Sequence, residues 1–436
     1  MSSGASFSDV QKGPLDPINI LKRQYDEDPT PSKVDLGVGV LRDEQGGCYE
    51  IPVVQEVSIS TAHQPMIECD WLTSTDRQKL YSRNDASVMT PTTGIEPFRH
   101  NAARLIFGDD SACIKENRVA TVQTVAGTGA CRIGAVFLSK HWPSSTAGPS
   151  PSQNEQPVYL GVPTWGNYDP LFQHAGFSNV KKYQYLDLTR RIDMASTVEA
   201  IQSAPNQSII VLQAVCHNPT GRDFTKDQWS QIADIMQTKG HFAFFDCAYQ
   251  GLGTDSATDA WAIRHFVDRG IDMLVCQSFS KNAGLYSERV GALHIVCASS
   301  SIAANVLDQF RALTRWEVSS TPAYGAELVN IVLSDPALKA KWQSELEAAR
   351  QRMRGLRKEL HELVTSRGST SVDWSHLLEE NGLFSFTGLS AAQTRALIAQ
   401  YHIYMPENGR INVSGLNSGN IKRVAEAFDT VVRNGA

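Results

Sequence analysis

Between residues 156 and 297 short, nearly continuous apolar runs alternate with stretches whose apolar positions recur every three or four residues. The runs "QPVYLGVP", "SIIVLQAV", "HFAFFDCAY", "DMLVCQSF" and "GALHIVC" are each bounded by turn-forming residues and predict strands. The intervening "TKDQWSQIADIMQTKG" places Trp229, Ile232, Ile235 and Met236 on one helical face and stops at a glycine. Strands apolar on both faces and separated by helices predict a mostly parallel sheet covered on both sides. Ligands of such sheets sit outside the carboxyl ends of the strands.

The pattern changes towards the C-terminus. "KAKWQSELEAARQRMRGLRKELHELV" reads as a long charged amphipathic helix, and "GLFSFTGL", a second helical pattern, "IYMPENGRINVSGL" and a last helix follow it as a smaller α+β unit. Two polar stretches, near 60–90 and 144–156, read as insertions, and there is no internal repeat.

Composition narrows the partners. The 436 residues, 42% hydrophobic, support a large core, and a net charge of -6 gives no electrostatic reason to expect nucleic acid or an anionic membrane. Small molecules are the expected partners. The eight cysteines are spread singly without a C-x-x-C pair and read as reduced thiols. No apolar run reaches membrane-spanning length, and the opening "MSSGASFSDVQKG" lacks a signal-peptide core, so a cytoplasmic location is expected.

Chemistry gathers at the strand ends. After "SIIVLQAV" comes "CHNPTG" with Asn218; after "HFAFF" come Asp246 and Tyr249; after "DMLVCQSF" come Ser280 and Lys281. Asn218 alone could be turn chemistry, Asp246 a helix cap and Tyr249 a packed ring. One shared crevice explains all of them together. The Gly127-Thr128-Gly129 turn opens an apolar helical pattern, so its free backbone N–H groups suit a phosphate. A lysine that can form a Schiff base, a carboxylate that keeps a pyridine nitrogen protonated and a phosphate cradle point together to pyridoxal 5′-phosphate. No metal is expected.

With these residues placed, the chain resembles the aspartate aminotransferase family, class I aminotransferases of fold type I. "LGVGVLRDEQG", "VQTVAGTGACRIGA", "VPTWGNY", "HNPTG", "AFFDCAYQG", "CQSFSKNAGLYSERVG" and "ENGRINVSGL" stand in the family's order. The resemblance implies a large domain, 49–348, with a mostly parallel seven-stranded sheet between helices. It also implies a tail (1–13), an arm with part of the small domain (14–48) and a small α+β domain (349–436). It implies that Lys281 forms the Schiff base and shuttles the proton, that Asp246 pairs with the ring nitrogen, and that Tyr249 and Asn218 hydrogen-bond the phenolic oxygen. Gly127, Thr128, Ser278 and Arg289 would hold the phosphate, Trp165 would stack on the ring, and Arg410 with the backbone at Gly39 would bind the substrate α-carboxylate. Arg315 would reach the neighbouring active site of a homodimer and pair with a side-chain carboxylate, favouring an acidic amino acid and a 2-oxo acid as substrates.

The chain departs from the family at four positions. Met89 stands where a tyrosine would touch the partner's cofactor phosphate, with Tyr81 as a substitute; Ala126 replaces a serine; Tyr168 and Gln213 stand in place of two histidines that support the aspartate. These changes leave open a lyase, decarboxylase or side-chain replacement outcome on the same scaffold, or an aromatic amino-acid aminotransferase. A scaffold protein without activity would have no use for Lys281 and Asp246.

Overall fold

The computed structural model describes residues 7–62, 90–143, 156–367 and 372–435. Met89 and Tyr81 lie outside the described residues, as does most of both expected insertions.

A short strand β1 (Val34–Asp35) precedes the main sheet, which is built from β2 (Val119–Val125), β3 (Val158–Val162), β4 (Val180–Gln184), β5 (Ile209–Gln213), β6 (Phe242–Cys247), β7 (Met273–Ser278) and β8 (Val290–Val296). Their order is β2-β8-β7-β6-β5-β3-β4, and every pairing is parallel except those of β8 with its two neighbours. The five expected strands are all present, and β2 and β4 join them.

Alternation along the buried strands divides the core into two layers. Phe244 and Leu274 enter one cluster, with the helix Ala126–His141, while Phe245 and Val275 enter the other, with the helices Lys226–Lys239 and Trp261–Asp268. The helix Lys226–Lys239 begins with a capping box between Thr225 and Gln228 and ends at Gly240 in the left-handed conformation, the start and stop its sequence predicts.

Beyond the sheet, β9 (Phe384–Phe386) pairs antiparallel with β11 (Arg410–Asn412), and β10 (Ile403–Tyr404) pairs parallel with β1. Val34 and Leu36 near the N-terminus therefore share a core with Leu356, Ile403, Ile411 and Phe428. The 31-residue helix Pro336–Ser366 serves both units: Leu338, Trp342 and Leu346 pack beside the sheet, and Leu356, Leu360 and Val364 pack in the C-terminal core.

Candidate active site

Register brings the chemistry to one edge. Gln213 lies opposite Asp246 and Cys247 opposite Gln277, so β5, β6 and β7 end side by side. Strand β8 returns alongside, with Gly291 opposite Ser278 and Val290 opposite Val125. Arg289, just before β8, therefore meets the first turn of the helix Ala126–His141, just after β2. A Cβ on Gly291 would lie 2.4 Å from the carbonyl carbon of Ala126, so only glycine lets these backbones approach. Ala126 and Arg289 are left-handed, at φ 56° and 55°, and the Ala126 N–H donates to the Arg289 carbonyl at 2.9 Å.

A cavity opens at this edge. It is lined by Gly127, Thr128, Ser278 and Arg289 around the start of the helix Ala126–His141, by Asp246, Tyr249 and Lys281, and by Trp165, Asn218 and Gly39. The Lys281 Nζ sits 4.9 Å from the centre of the Tyr249 ring. Burial lowers the amine's pKa, and the Asp246 charge works against that shift. Burial raises the Asp246 pKa, while a hydrogen bond donated by the Tyr168 hydroxyl at 2.6 Å and the Lys281 charge pull it back. Tyr249 is pushed well above the ordinary phenol range by burial. Its hydroxyl stays protonated.

The donor set fits an aromatic aldehyde phosphate. Backbone N–H groups at the start of a 16-residue helix, the Ser278 hydroxyl and a guanidinium suit a phosphate dianion, a partly buried carboxylate suits a ring cation, and an amine of lowered pKa suits an aldehyde.

Comparison with known proteins agrees with this geometry. Residues 31–428 match the family model described as aminotransferase class I and II. The chain belongs to the class I and II aminotransferases. It is 40% identical over 434 residues to the cytoplasmic aspartate aminotransferase of Oryza sativa, covering 99% of each chain. Among solved structures it resembles the cytoplasmic aspartate aminotransferase of Saccharomyces cerevisiae, with a TM-score of 0.88, 35% identity and 99% of each chain covered. It also resembles an aromatic-amino-acid aminotransferase of Burkholderia pseudomallei with covalently bound pyridoxal phosphate, at a TM-score of 0.86 and 35% identity, covering 98% of this chain and 100% of that one.

In this aminotransferase every expected site residue except Arg410 and Arg315 lines the cavity. Arg410 stands next to it, its Nη1 donating to Asn218 Oδ1 at 3.5 Å and its Nη2 to the Gly37 carbonyl at 2.5 Å, with the guanidinium 4.6 Å above the Phe384 ring. Arg315 is elsewhere: exposed near the end of the helix Ser300–Glu317, it donates to Ser319 Oγ at 2.6 Å.

Ser280, which follows its strand as the sequence indicates, also lines the cavity, and Tyr286 and Ala248 join it without having been singled out in the sequence. Ser280 directly precedes Lys281 and is reached at 3.2 Å by the Ser278 hydroxyl. Tyr286 accepts the Leu41 N–H at 2.6 Å, tying the segment after Gly39 to the rim. Tyr286 lies inside the lysine motif and Ala248 inside "AFFDCAYQG", and those motifs were the available signal. The substituted positions also find roles. Gln213 accepts from the Asn218 N–H at 2.8 Å and donates to the Asn218 carbonyl at 3.0 Å, so it clamps the turn that presents Asn218.

Proposed function

We propose that this cavity holds pyridoxal 5′-phosphate and that the enzyme transfers an amino group between an acidic, aspartate- or glutamate-like amino acid and a 2-oxo acid in ping-pong half-reactions. The observation that carries the reading is the placement of Lys281 and Asp246 in one cavity with the groups suited to a phosphate, Gly127, Thr128, Ser278 and Arg289. The 40% identity to an aspartate aminotransferase over nearly the whole chain supports the acidic substrate. When bound, the cofactor supplies an electron sink for the pair released as the substrate's Cα–H bond breaks.

The protein's own groups do the rest. The Lys281 amine, desolvated and of lowered pKa, would take the proton from substrate Cα and deliver it to the cofactor's C4′ carbon, and the reverse in the second half-reaction. Asp246 faces the ring nitrogen and keeps it charged. Gly127, Thr128, Ser278 and Arg289 fix the phosphate, Asn218 and Tyr249 bond the phenolic oxygen, and Trp165 covers the ring. Arg410 pairs in a bidentate fork with the α-carboxylate, with the backbone at Gly39 closing over it.

The acidic side chain is assigned to Arg315 of a second copy, because within one chain Arg315 does not line the cavity. A homodimer is part of the proposal. Mixing Lys281→Ala with Arg315→Ala protein tests it: subunit exchange should restore about a quarter of the native sites, while two self-contained subunits restore none. We place the protein in the cytoplasm, following the Oryza relative; other relatives are named chloroplastic and mitochondrial. Among the described residues no helix is long and apolar enough to cross a membrane.

The decisive experiment mixes purified protein with L-aspartate or L-glutamate and follows the cofactor's absorbance. Conversion to the pyridoxamine form, reversed by oxaloacetate or 2-oxoglutarate, is expected. Release of ammonia or CO2 without keto-acid exchange, or conversion by L-phenylalanine alone, goes against it.

A further inference from the structure

We infer that Tyr168 is a positioning residue whose phenol keeps the Asp246 carboxylate ionised and in place for the cofactor's ring nitrogen, an assignment that rests on the reading above. The Tyr168 hydroxyl donates to Asp246 Oδ2 at 2.6 Å, a short charge-assisted bond. The ring has no freedom to leave it. Tyr168 is 0% exposed, opens the helix Tyr168–His174, and packs among Phe172 and Phe244. Trp165 meets it edge-on, with ring centroids 5.1 Å apart and the ring planes at 88°.

The chemistry of the donor matters as much as its place. A histidine would change charge near neutral pH, whereas a phenol is an uncharged donor until pH ~10, and here burial and the neighbouring carboxylate move it higher still. The other ionisable groups around Asp246 are Lys281, Tyr249 and the thiols of Cys131, Cys247 and Cys276; a hydrogen bond with Cys276 and then burial push Cys131 up, and burial pushes up the other two, so that all three stay protonated. Gln213, paired in register with Asp246, instead commits its side chain to Thr164 at 3.2 Å and to both backbone groups of Asn218. Beside the Lys281 charge, the hydrogen-bonded support of the carboxylate among the described residues therefore rests on one neutral hydroxyl, and that part does not vary across the working pH range.

The test compares wild-type holoenzyme with Tyr168→Phe, which removes the hydroxyl alone, and with a fluorotyrosine at 168, a stronger donor of nearly the same shape. Without the bond Asp246 holds its proton, the ring nitrogen loses its charge, and the basic nitrogen that remains in the cavity becomes easier to protonate. For Tyr168→Phe the midpoint of the cofactor's absorbance against pH should therefore rise by about one unit. Cofactor retained on dialysis should weaken and kcat should fall, each by roughly tenfold to a hundredfold, with KM little changed. Fluorotyrosine should move the midpoint the other way. A folded Tyr168→Phe protein that matches wild type in midpoint and retention overturns the inference. If that variant fails to fold, fluorotyrosine decides: a rise in its midpoint overturns the inference. In either case Lys281→Ala still abolishing turnover would leave the parent reading intact, whereas a wild-type protein that takes up no pyridoxal phosphate overturns both.

Discussion

Lys281 and Asp246 carry opposite shifts for one reason. Burial lowers the amine and raises the carboxyl, so each neutral form gains, and only their mutual attraction and the Tyr168 hydrogen bond restrain the drift. For the amine the shift is useful, since a neutral amine accepts a proton. For the aspartate it is a threat, since a protonated carboxyl cannot stabilise a ring cation. The two residues should therefore fail differently on substitution. Lys281→Ala removes the proton carrier and should lower kcat by roughly 10³-fold or more in single-turnover measurements, with cofactor still held by its phosphate contacts. Asp246→Asn keeps the size but not the charge, and should lower kcat by roughly 10² to 10⁴-fold while releasing cofactor more readily on dialysis. Equal retention in the two variants would contradict the assigned roles.

At the scale of elements, the site depends on how closely β2 and β8 run at their shared end. Gly291→Ala would set a methyl 2.4 Å from the Ala126 carbonyl carbon and 2.8 Å from the Gln277 carbonyl oxygen, with no flexible side chain to give way. The variant should lose about 3 kcal/mol or more of stability in thermal unfolding and bind the cofactor phosphate poorly even where it folds. The same region shows where sequence pattern reaches its limit. β3, β5, β6, β7 and β8 were legible as continuous apolar runs, and so were the residues after β5, β6 and β7, because these parallel strands must finish at a common edge. β2 was not. Its Thr121, Gln123 and Thr124 are buried but satisfied, by His294 at 3.0 Å, by the Pro322 carbonyl at 2.7 Å and by the Ala126 carbonyl at 2.9 Å. Those partners are distant in the chain or hidden in a turn, so the polar letters read as surface. β4, "VKKYQ", is an edge strand with one buried residue and gives little apolar signal. The expected phosphate turn also starts one residue early, since the helix begins at Ala126 and takes Gly127, Thr128 and Gly129 into its first turn. The departures at Tyr168 and Gln213 could be located from motif alignment, but only three-dimensional contact reveals that one serves Asp246 and the other Asn218.

Across the whole molecule, buried charge collects where the sheet unit meets the C-terminal unit. Arg357, from the shared long helix, donates to the carbonyls of Gly382 at 2.7 Å and Phe384 at 3.0 Å, and Glu380 lies beside it with 4% of its surface exposed. Burial raises Glu380 to about 7, against the pull of Arg357, and raises Asp223 and Asp259 to about 6. A carboxyl raised in this way binds its proton more tightly folded than unfolded, so stability falls as pH rises from its ordinary pKa through the folded value. The buried histidines oppose this trend: His217, His294 and His376 are lowered to about 3, and the folded state gains as pH rises towards 6.5. A wild-type curve alone would mix the two effects. Glu380→Gln separates them, because the amide keeps the shape and removes one titration. Between about pH 4.5 and about 7 the wild type should lose stability relative to the variant, by on the order of 3 kcal/mol over the window, and the difference should be flat on either side. Thermal unfolding of both proteins at matched pH values measures this difference. If the wild type instead gains stability relative to the variant as pH rises from about 4 to about 5.5, the folded state holds Glu380 as a carboxylate more firmly than the unfolded chain does, and the junction is held by the attraction of Arg357 instead of by a proton.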